Sequence, residues 1–167
     1  MSGAETLIPF LREKEKGDQP TIIVDSREAK TAPKIVKGLT ELGADISIRY
    51  LEKGDYIISN LCAFERKTVS DFVYTLTRRY LFEQLFTLKE CYEKPFILIE
   101  GYLPIVYKYS KIQPASVWGA MFALAKQGIN LMLGKPDFQV RLITHLTLFR
   151  EINRINKNQA RNFVGIV

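Results

Sequence analysis

The chain is poor in the residues on which several kinds of site are built. It has a single histidine, His145, set between Leu142 and Leu146 in an apolar stretch with no ligand partner near it in sequence. That is the setting of a packed or partly exposed histidine rather than a catalytic one. Its two cysteines, Cys62 and Cys91, fall in a predicted core strand and on a predicted helix. They fit a reducing compartment and read as small packing side chains, not as a disulfide or a metal pair. No apolar run approaches the ~20 residues of a membrane helix. The opening Met1-Ser2-Gly3-Ala4-Glu5 lacks the charged-then-apolar order of a signal peptide. The expectation is an intracellular protein, cytoplasmic or nucleoid-associated, with no membrane partner. Internal repeats and low-complexity tracts are absent as well.

What is present suits one compact domain. The 167 residues are 47% hydrophobic, enough for an ordinary core. The net charge is +6, which favours a polyanionic partner, nucleic acid first. Residues 1–20 carry the mixed-charge run Arg12 to Asp18 and read as a mobile arm. The expected domain spans 21–153, and a basic, then apolar tail follows over 154–167.

Within the domain, Thr21-Ile22-Ile23-Val24 is a β-branched run that predicts a buried strand ending at Asp25. Ile35, Val36, Leu39 and Leu42 lie at helical spacing, and Gly43 stops that helix. Residues 45–51 alternate with the period of a strand. Tyr56 to Ser59 and Leu61 to Phe64 read as the arms of a hairpin. Thr68 or Ser70 can cap the next helix. A second helix is predicted over 80–93 with Leu81, Leu85, Leu88 and Cys91 or Tyr92 inward, and Phe96 to Ile99 reads as a buried strand. Residues 102–113 are Tyr-rich and read as irregular. A helix follows from Pro114 to Gln127, then a strand over 129–133 and a last helix reaching Asn153. Strands interleaved with helices imply an α/β sandwich around a mixed sheet.

The chemistry-bearing segment is Gly54-Asp55-Tyr56, then Glu65-Arg66-Lys67 and, three residues on, Asp71. On a strand, Glu65 and Lys67 point one way and Arg66 the other. Read as a hairpin, the segment sets Asp55 opposite them. Two carboxylates beside a lysine are suited to metal-assisted phosphodiester hydrolysis, in which carboxylate oxygens hold Mg²⁺ or Mn²⁺ and the lysine orients or activates water. Strand-end acids are individually common as solvent-facing charges. Asp25, Asp55 and Glu65 together with Lys67 are not the pattern of surface charge, because crowded carboxylates repel one another unless a cation is bound. Lys67 could also be an ordinary partner of Glu65. Arg27 and Glu28 could pair with each other, and Arg78 and Arg79 could be a solvated helix end.

Three segments together resemble one family: Val24-Asp25-Ser26-Arg27-Glu28; the Gly54-Asp55 and Glu65-Arg66-Lys67-x-x-x-Asp71 signature; and Phe82-Glu83-Gln84 followed by Ile97 to Gly101. The stretch is similar to the nuclease domain of the XPF-type structure-specific endonucleases, including archaeal Hef and short archaeal XPF proteins. The resemblance covers about residues 21–150 and implies a restriction-endonuclease-like fold, a mixed sheet flanked by helices. It also implies Mg²⁺- or Mn²⁺-dependent cutting of branched DNA (3′ flaps, forks, splayed arms) in repair or recombination, a homodimer and an archaeal source. Carried over by position, Asp25, Asp55 and Glu65 are the metal ligands, and Asp25, Asp55, Glu65, Arg66 and Lys67 form the catalytic group. Arg27, Arg66, Arg78 and Arg79 hold nucleic acid, and Glu28 and Asp71 support them. The family often has an arginine where Tyr80 stands here. The helix from Ala115 to Ala125 is apolar almost all round, and the resemblance makes Trp118, Met121 and Phe122 dimer anchors.

Neither a tandem helix-hairpin-helix segment nor the phosphate-loop pattern of a helicase is present, so the expectation is either a stand-alone nuclease module or a separate protein that supplies DNA affinity and branch recognition. The Gln159 to Phe163 stretch suggests docking to a sliding clamp. The alternative is a non-catalytic DNA-binding or scaffold subunit of a heterodimeric nuclease. Such a subunit is expected to lose the acids that this chain retains.

Overall fold

The computed structural model describes residues 21–144. The expected arm over 1–20, His145, the end of the last helix and the tail with Gln159 to Phe163 lie outside the described residues. Among the described residues six strands form one mixed sheet: β1 (Thr21–Asp25), β2 (Asp45–Arg49), β3 (Tyr56–Ile57), β4 (Cys62–Thr68), β5 (Lys94–Glu100) and β6 (Asn130–Gly134). Their order is β2-β1-β3-β4-β5-β6. β2 runs parallel to β1, β3 is antiparallel to both β1 and β4, and β4, β5 and β6 are parallel to one another. The short antiparallel β3 thus joins two parallel halves, and the expected α/β class with a mixed sheet flanked by helices is the one observed.

Helices α1 (Ser26–Thr31) and α2 (Pro33–Glu41) belong to one layer. Helices α3 (Val69–Thr77), α4 (Tyr80–Cys91), α5 (Ile105–Tyr109) and α6 (Pro114–Lys126) belong to the other. A further helix starts at 136 and is followed to 144. The alternation of side chains along β5 serves both layers. Leu98 packs with Ile22, Val24, Leu39 and Phe64, whereas Ile97 and Ile99 pack with Phe72, Leu81, Leu85 and Leu124. A strand covered on both faces has no wet side to mark with polar residues, which is why Phe96 to Ile99 is continuously apolar.

Three elements differ from the sequence reading. Helix α1 was not expected; it exists because the Asp25 carboxylate accepts from the Arg27 backbone N–H and caps it. Helix α5 occupies part of the stretch read as irregular and buries Val106. The first hairpin arm, expected from Tyr56 to Ser59, shortens to the two-residue β3, while β4 carries Glu65 to Lys67 as expected and pairs with β5 along its whole length. Cys62 is buried as expected, whereas Cys91 is exposed at the end of α4. Helix α6 presents Val117, Met121 and Leu124 to the core and leaves Trp118 59% and Phe122 72% exposed. Met121, expected as a dimer anchor, is instead buried in the core: at about 100° per residue it sits between the Trp118–Phe122 stripe and the inward row of Val117 and Leu124, and it turns in.

Candidate active site

The Gly-Asp pair is a backbone requirement before it is a chemical one. Gly54 has φ +81°, a conformation L side chains rarely adopt, and a Cβ there would meet Leu88 Cδ1 at 3.2 Å. From this turn Asp55 enters β3 with its N–H on the Phe64 carbonyl (2.8 Å) and its own carbonyl accepting from Asp25 N (2.8 Å). The three segments that carry the acids are thus locked side by side by main-chain bonds. The Arg66 N–H donates to Asp55 Oδ2 at 2.7 Å, which fixes the carboxylate against β4.

β4 then sorts its charged residues by face. Glu65 and Lys67 pair in register with Ile97 and Ile99 and share the face of α3 and α4. Lys67 is 7% exposed, its Nζ 3.5 Å from Glu65 Oε1. Arg66 goes the other way. Its guanidinium donates to Glu100 Oε2 (2.6 Å) and to Glu28 Oε1 (3.3 Å). Glu28 Oε1 also accepts from the buried Tyr56 hydroxyl (2.7 Å), and Glu28 Oε2 accepts from Thr31 Oγ1 (3.1 Å). Arg66, read from sequence as a DNA-holding and catalytic group, is occupied by two carboxylates and has a side chain only 14% exposed.

The acids differ in electrostatic state. Burial pushes the Asp55 carboxyl up, the neighbouring Glu65 charge pushes it further, and the Arg66 N–H only partly offsets them; the result is about 8. Burial also raises Glu65, against the pull of Lys67. For Asp25 burial acts upward too, but the Leu51 N–H (2.9 Å) and Arg27 Nε (2.8 Å) outweigh it and hold the carboxyl below its ordinary range.

Asp25, Arg27, Glu28, Asp55 and Glu65 line one open cavity of about 390 Å³, together with Thr31, Glu52, Lys53, Gly54 and Gln84. Among the described residues five carboxylates and two cations face it, so a chain of net charge +6 has a site of the opposite sign. Among the described residues no three carboxylate, imidazole or thiol side chains converge as a metal-holding group. The expected trio of Asp25, Asp55 and Glu65 is instead a facing pair beside a helix cap, because Asp25 has both oxygens engaged by Leu51 and Arg27. The pair itself fits a divalent ion. Asp55 Oδ1 and Glu65 Oε2 accept no hydrogen bond among the described residues. They are hard oxygen donors, and their mutual repulsion is what a cation relieves.

Asp71 lies in the first turn of α3, where Thr68 and Asp71 bond reciprocally: Asp71 N–H to Thr68 Oγ1 (3.1 Å) and the Thr68 hydroxyl to Asp71 Oδ2 (2.7 Å). The motif aspartate anchors the start of the helix that follows the site strand. Arg78 and Arg79 do not line the cavity. Arg78 stacks over Tyr74, and Arg79 forms the α3–α4 turn with φ +65°. The sequence reading missed Thr31, Glu52, Lys53 and the site position of Gln84. Glu52 and Lys53 immediately precede Gly54, and Gln84 ends the Phe82-Glu83-Gln84 segment, so their neighbourhood is visible in the sequence although their place on the cavity is not.

Residues 24–133 match the ERCC4 domain. Over 89 residues the chain is 36% identical to the DNA repair endonuclease XPF of Cricetulus griseus, covering 53% of this chain and 9% of that protein. Over 81 residues it is 37% identical to the 3′-flap repair endonuclease Xpf of Saccharolobus solfataricus, covering 48% of this chain and 34% of that protein. The chain thus spans well under two thirds of the length of these relatives. Its fold superposes on XPF from Aeropyrum pernix in complex with DNA with a TM-score of 0.73 at 34% identity, covering 79% of this chain and 65% of the other. A second structure of XPF from Aeropyrum pernix gives 0.72 at 32% identity, covering 87% and 72%. The chain belongs to the ERCC4-domain family and has the α/β nuclease fold of XPF.

Proposed function

We propose that this domain is a metal-dependent DNA endonuclease that hydrolyses phosphodiester bonds near branch points, of the 3′-flap, fork or splayed-arm type, in DNA repair or recombination. The observation that carries the reading is the facing pair Asp55 and Glu65. They are buried enough to repel each other, open to a negative cavity, and backed by Lys67. Asp55 and Glu65 would hold Mg²⁺ or Mn²⁺, which when bound neutralises the charge that builds on the phosphodiester during hydrolysis. Lys67, held on Glu65, positions the attacking water or the scissile phosphate. Arg27, 63% exposed at the cavity edge, is available to the DNA backbone while its Nε keeps Asp25 in place. Arg66, Glu28 and Asp25 act as positioning residues: Arg66 through the main-chain bond to Asp55, Glu28 through Arg66 and Tyr56, Asp25 through the adjoining strand. The deciding experiment is incision of an end-labelled 3′-flap duplex with Mg²⁺, using the wild type and Asp55→Ala. Wild-type-only incision near the branch supports the reading. Equal incision by both proteins would refute it.

The exposed face of α6 supports a homodimer. Trp118 and Phe122 are large apolar side chains presented to solvent on one stripe, the composition of an interface centre. Replacing both with Ala is expected to give a monomer by light scattering; an unchanged dimer mass would place the interface elsewhere.

A further inference from the structure

A second cavity, on the α3–α5 surface, differs from the acidic one in every chemical respect. It is a groove of about 530 Å³ lined by Ser70, Val73, Tyr74, Thr77, Val106, Tyr109, Ser110, Lys111 and Ile112. Among the described residues no carboxylate lines it, and its floor is mostly apolar. Its volume is that of a ligand site. Two tyrosine rings stand on its walls with most of their surface in solvent, Tyr74 at 58% and Tyr109 at 74% exposed. Each carries a cation: the Arg78 guanidinium lies 5.6 Å from the Tyr74 ring centre, and Lys108 Nζ lies 5.5 Å from that of Tyr109. Lys111 adds a third positive charge on the lining itself.

We infer that this groove binds single-stranded nucleic acid, with bases stacked on Tyr74 and Tyr109 and the backbone tracked by Arg78, Lys108 and Lys111. Exposed rings interleaved with cations and free of acids are the composition that holds single strands without reading sequence, because every base has a π-face and every nucleotide a phosphate. A protein segment would match the apolar floor, but the positive rim then needs acidic residues at each of three points. A polyphosphate backbone supplies that complement along its whole length. The groove also lies close to the proposed chemistry in the chain. Ser70 is three residues beyond Lys67, and Thr68 ends the site strand as the cap of α3. A strand seated on α3 is thus led towards the end of β4 that presents Glu65 and Lys67. The inference rests on the endonuclease reading and assigns the groove to the unpaired arm of a branched substrate.

The test is fluorescence anisotropy in EDTA, so that no strand is cut, with labelled oligothymidylate and a labelled blunt duplex as separate probes. Tyr74→Ala and Tyr109→Ala are each expected to weaken oligothymidylate binding by roughly tenfold, with duplex binding changed little. Tyr74→Phe and Tyr109→Phe are expected to keep wild-type affinity, since stacking needs the ring and not the hydroxyl. Alanine variants that bind oligothymidylate like the wild type, while the wild type binds DNA, overturn the groove assignment and leave the endonuclease reading standing. A wild type that binds neither probe also overturns the groove assignment, whereas the endonuclease reading stands or falls on the 3′-flap incision assay. A Tyr109→Ala protein of lower solution mass but unchanged oligothymidylate affinity overturns it in favour of a second copy of this chain.

Discussion

Asp25 at the end of β1 and Asp55 just before β3 are the same residue type, joined by a main-chain bond of 2.8 Å, yet they sit in opposite electrostatic states. Both are withdrawn from water. Asp25 meets a backbone N–H from Leu51 and the Arg27 guanidinium, and its carboxyl falls below the ordinary range. Asp55 meets one N–H from Arg66 and the carboxylate of Glu65, and it is pushed up to about 8. Burial does not by itself decide the state of a buried acid; the donors that accompany it do. A fold that satisfies one aspartate and leaves its neighbour in conflict has placed its electrostatic cost where a cation would remove it, the trade of stability for function common at active sites.

The largest effect that can test this contrast is on catalysis. Asp55→Ala and Glu65→Ala each remove half of the proposed cation site and are expected to lower incision of a 3′-flap substrate by about 10³-fold or more, equivalent to several kcal/mol of transition-state stabilisation. DNA binding should be largely retained. Asp25→Asn keeps the helix cap and most donors, so its loss of activity should be far smaller. Equal losses for Asp25→Asn and Asp55→Ala in single-turnover assays would abolish the distinction between the pair and the cap.

Next in size is the fold beneath the site. Arg66→Met removes the guanidinium between Glu28 and Glu100 and leaves two nearly buried carboxylates without their cation. Breaking a buried ion pair by deleting one partner costs ~3 kcal/mol. That loss should appear as a lower urea midpoint with an unchanged slope. A variant as stable as the wild type would mean that the guanidinium is not holding these carboxylates in solution, and Arg66 would return to the list of DNA-contacting groups.

How much of this was legible in the sequence depends on the range of the interaction. The strands, the long helices and the Thr68 cap follow from periodicity and capping within a few residues. So did the separation of Glu65 and Lys67 from Arg66, because alternation along a strand is a local property. Helix α1 escaped because its only strong signal is Asp25, whose acidity drew a metal-ligand reading; the same carboxylate caps the helix. The carboxylate partners of Arg66 are hidden for a different reason: Glu28 and Glu100 lie 38 and 34 residues away. Only the pairing of β4 with β5 and the position of α1 bring them together. Met121 and Phe122 are adjacent and both apolar, and sequence places them together in an interface, but the helix turns one to the core and the other to solvent.

The smallest expected effect is the most direct measure of the Asp55 conflict. In the unfolded chain this aspartate titrates near 3.8, and in the native protein near 8. Between those values the native state holds a proton the unfolded state has released, so stability falls as pH rises through that window and is fully present below it. Asp55→Asn keeps an oxygen for the Arg66 N–H and removes the charge. It should therefore be more stable than the wild type in EDTA near pH 8, by about 1 kcal/mol. This is only part of the full linkage, since the cavity beside Asp55 is open and solvent screens the charge. The advantage should shrink as pH falls towards 4, and Mg²⁺ should stabilise the wild type more than the variant. Urea unfolding at several pH values, with EDTA and with Mg²⁺, measures all three. A wild type that holds its stability from pH 5 to 8 and equals the variant throughout would show that Asp55 ionises at no cost, and would remove the electrostatic argument for a cation between Asp55 and Glu65.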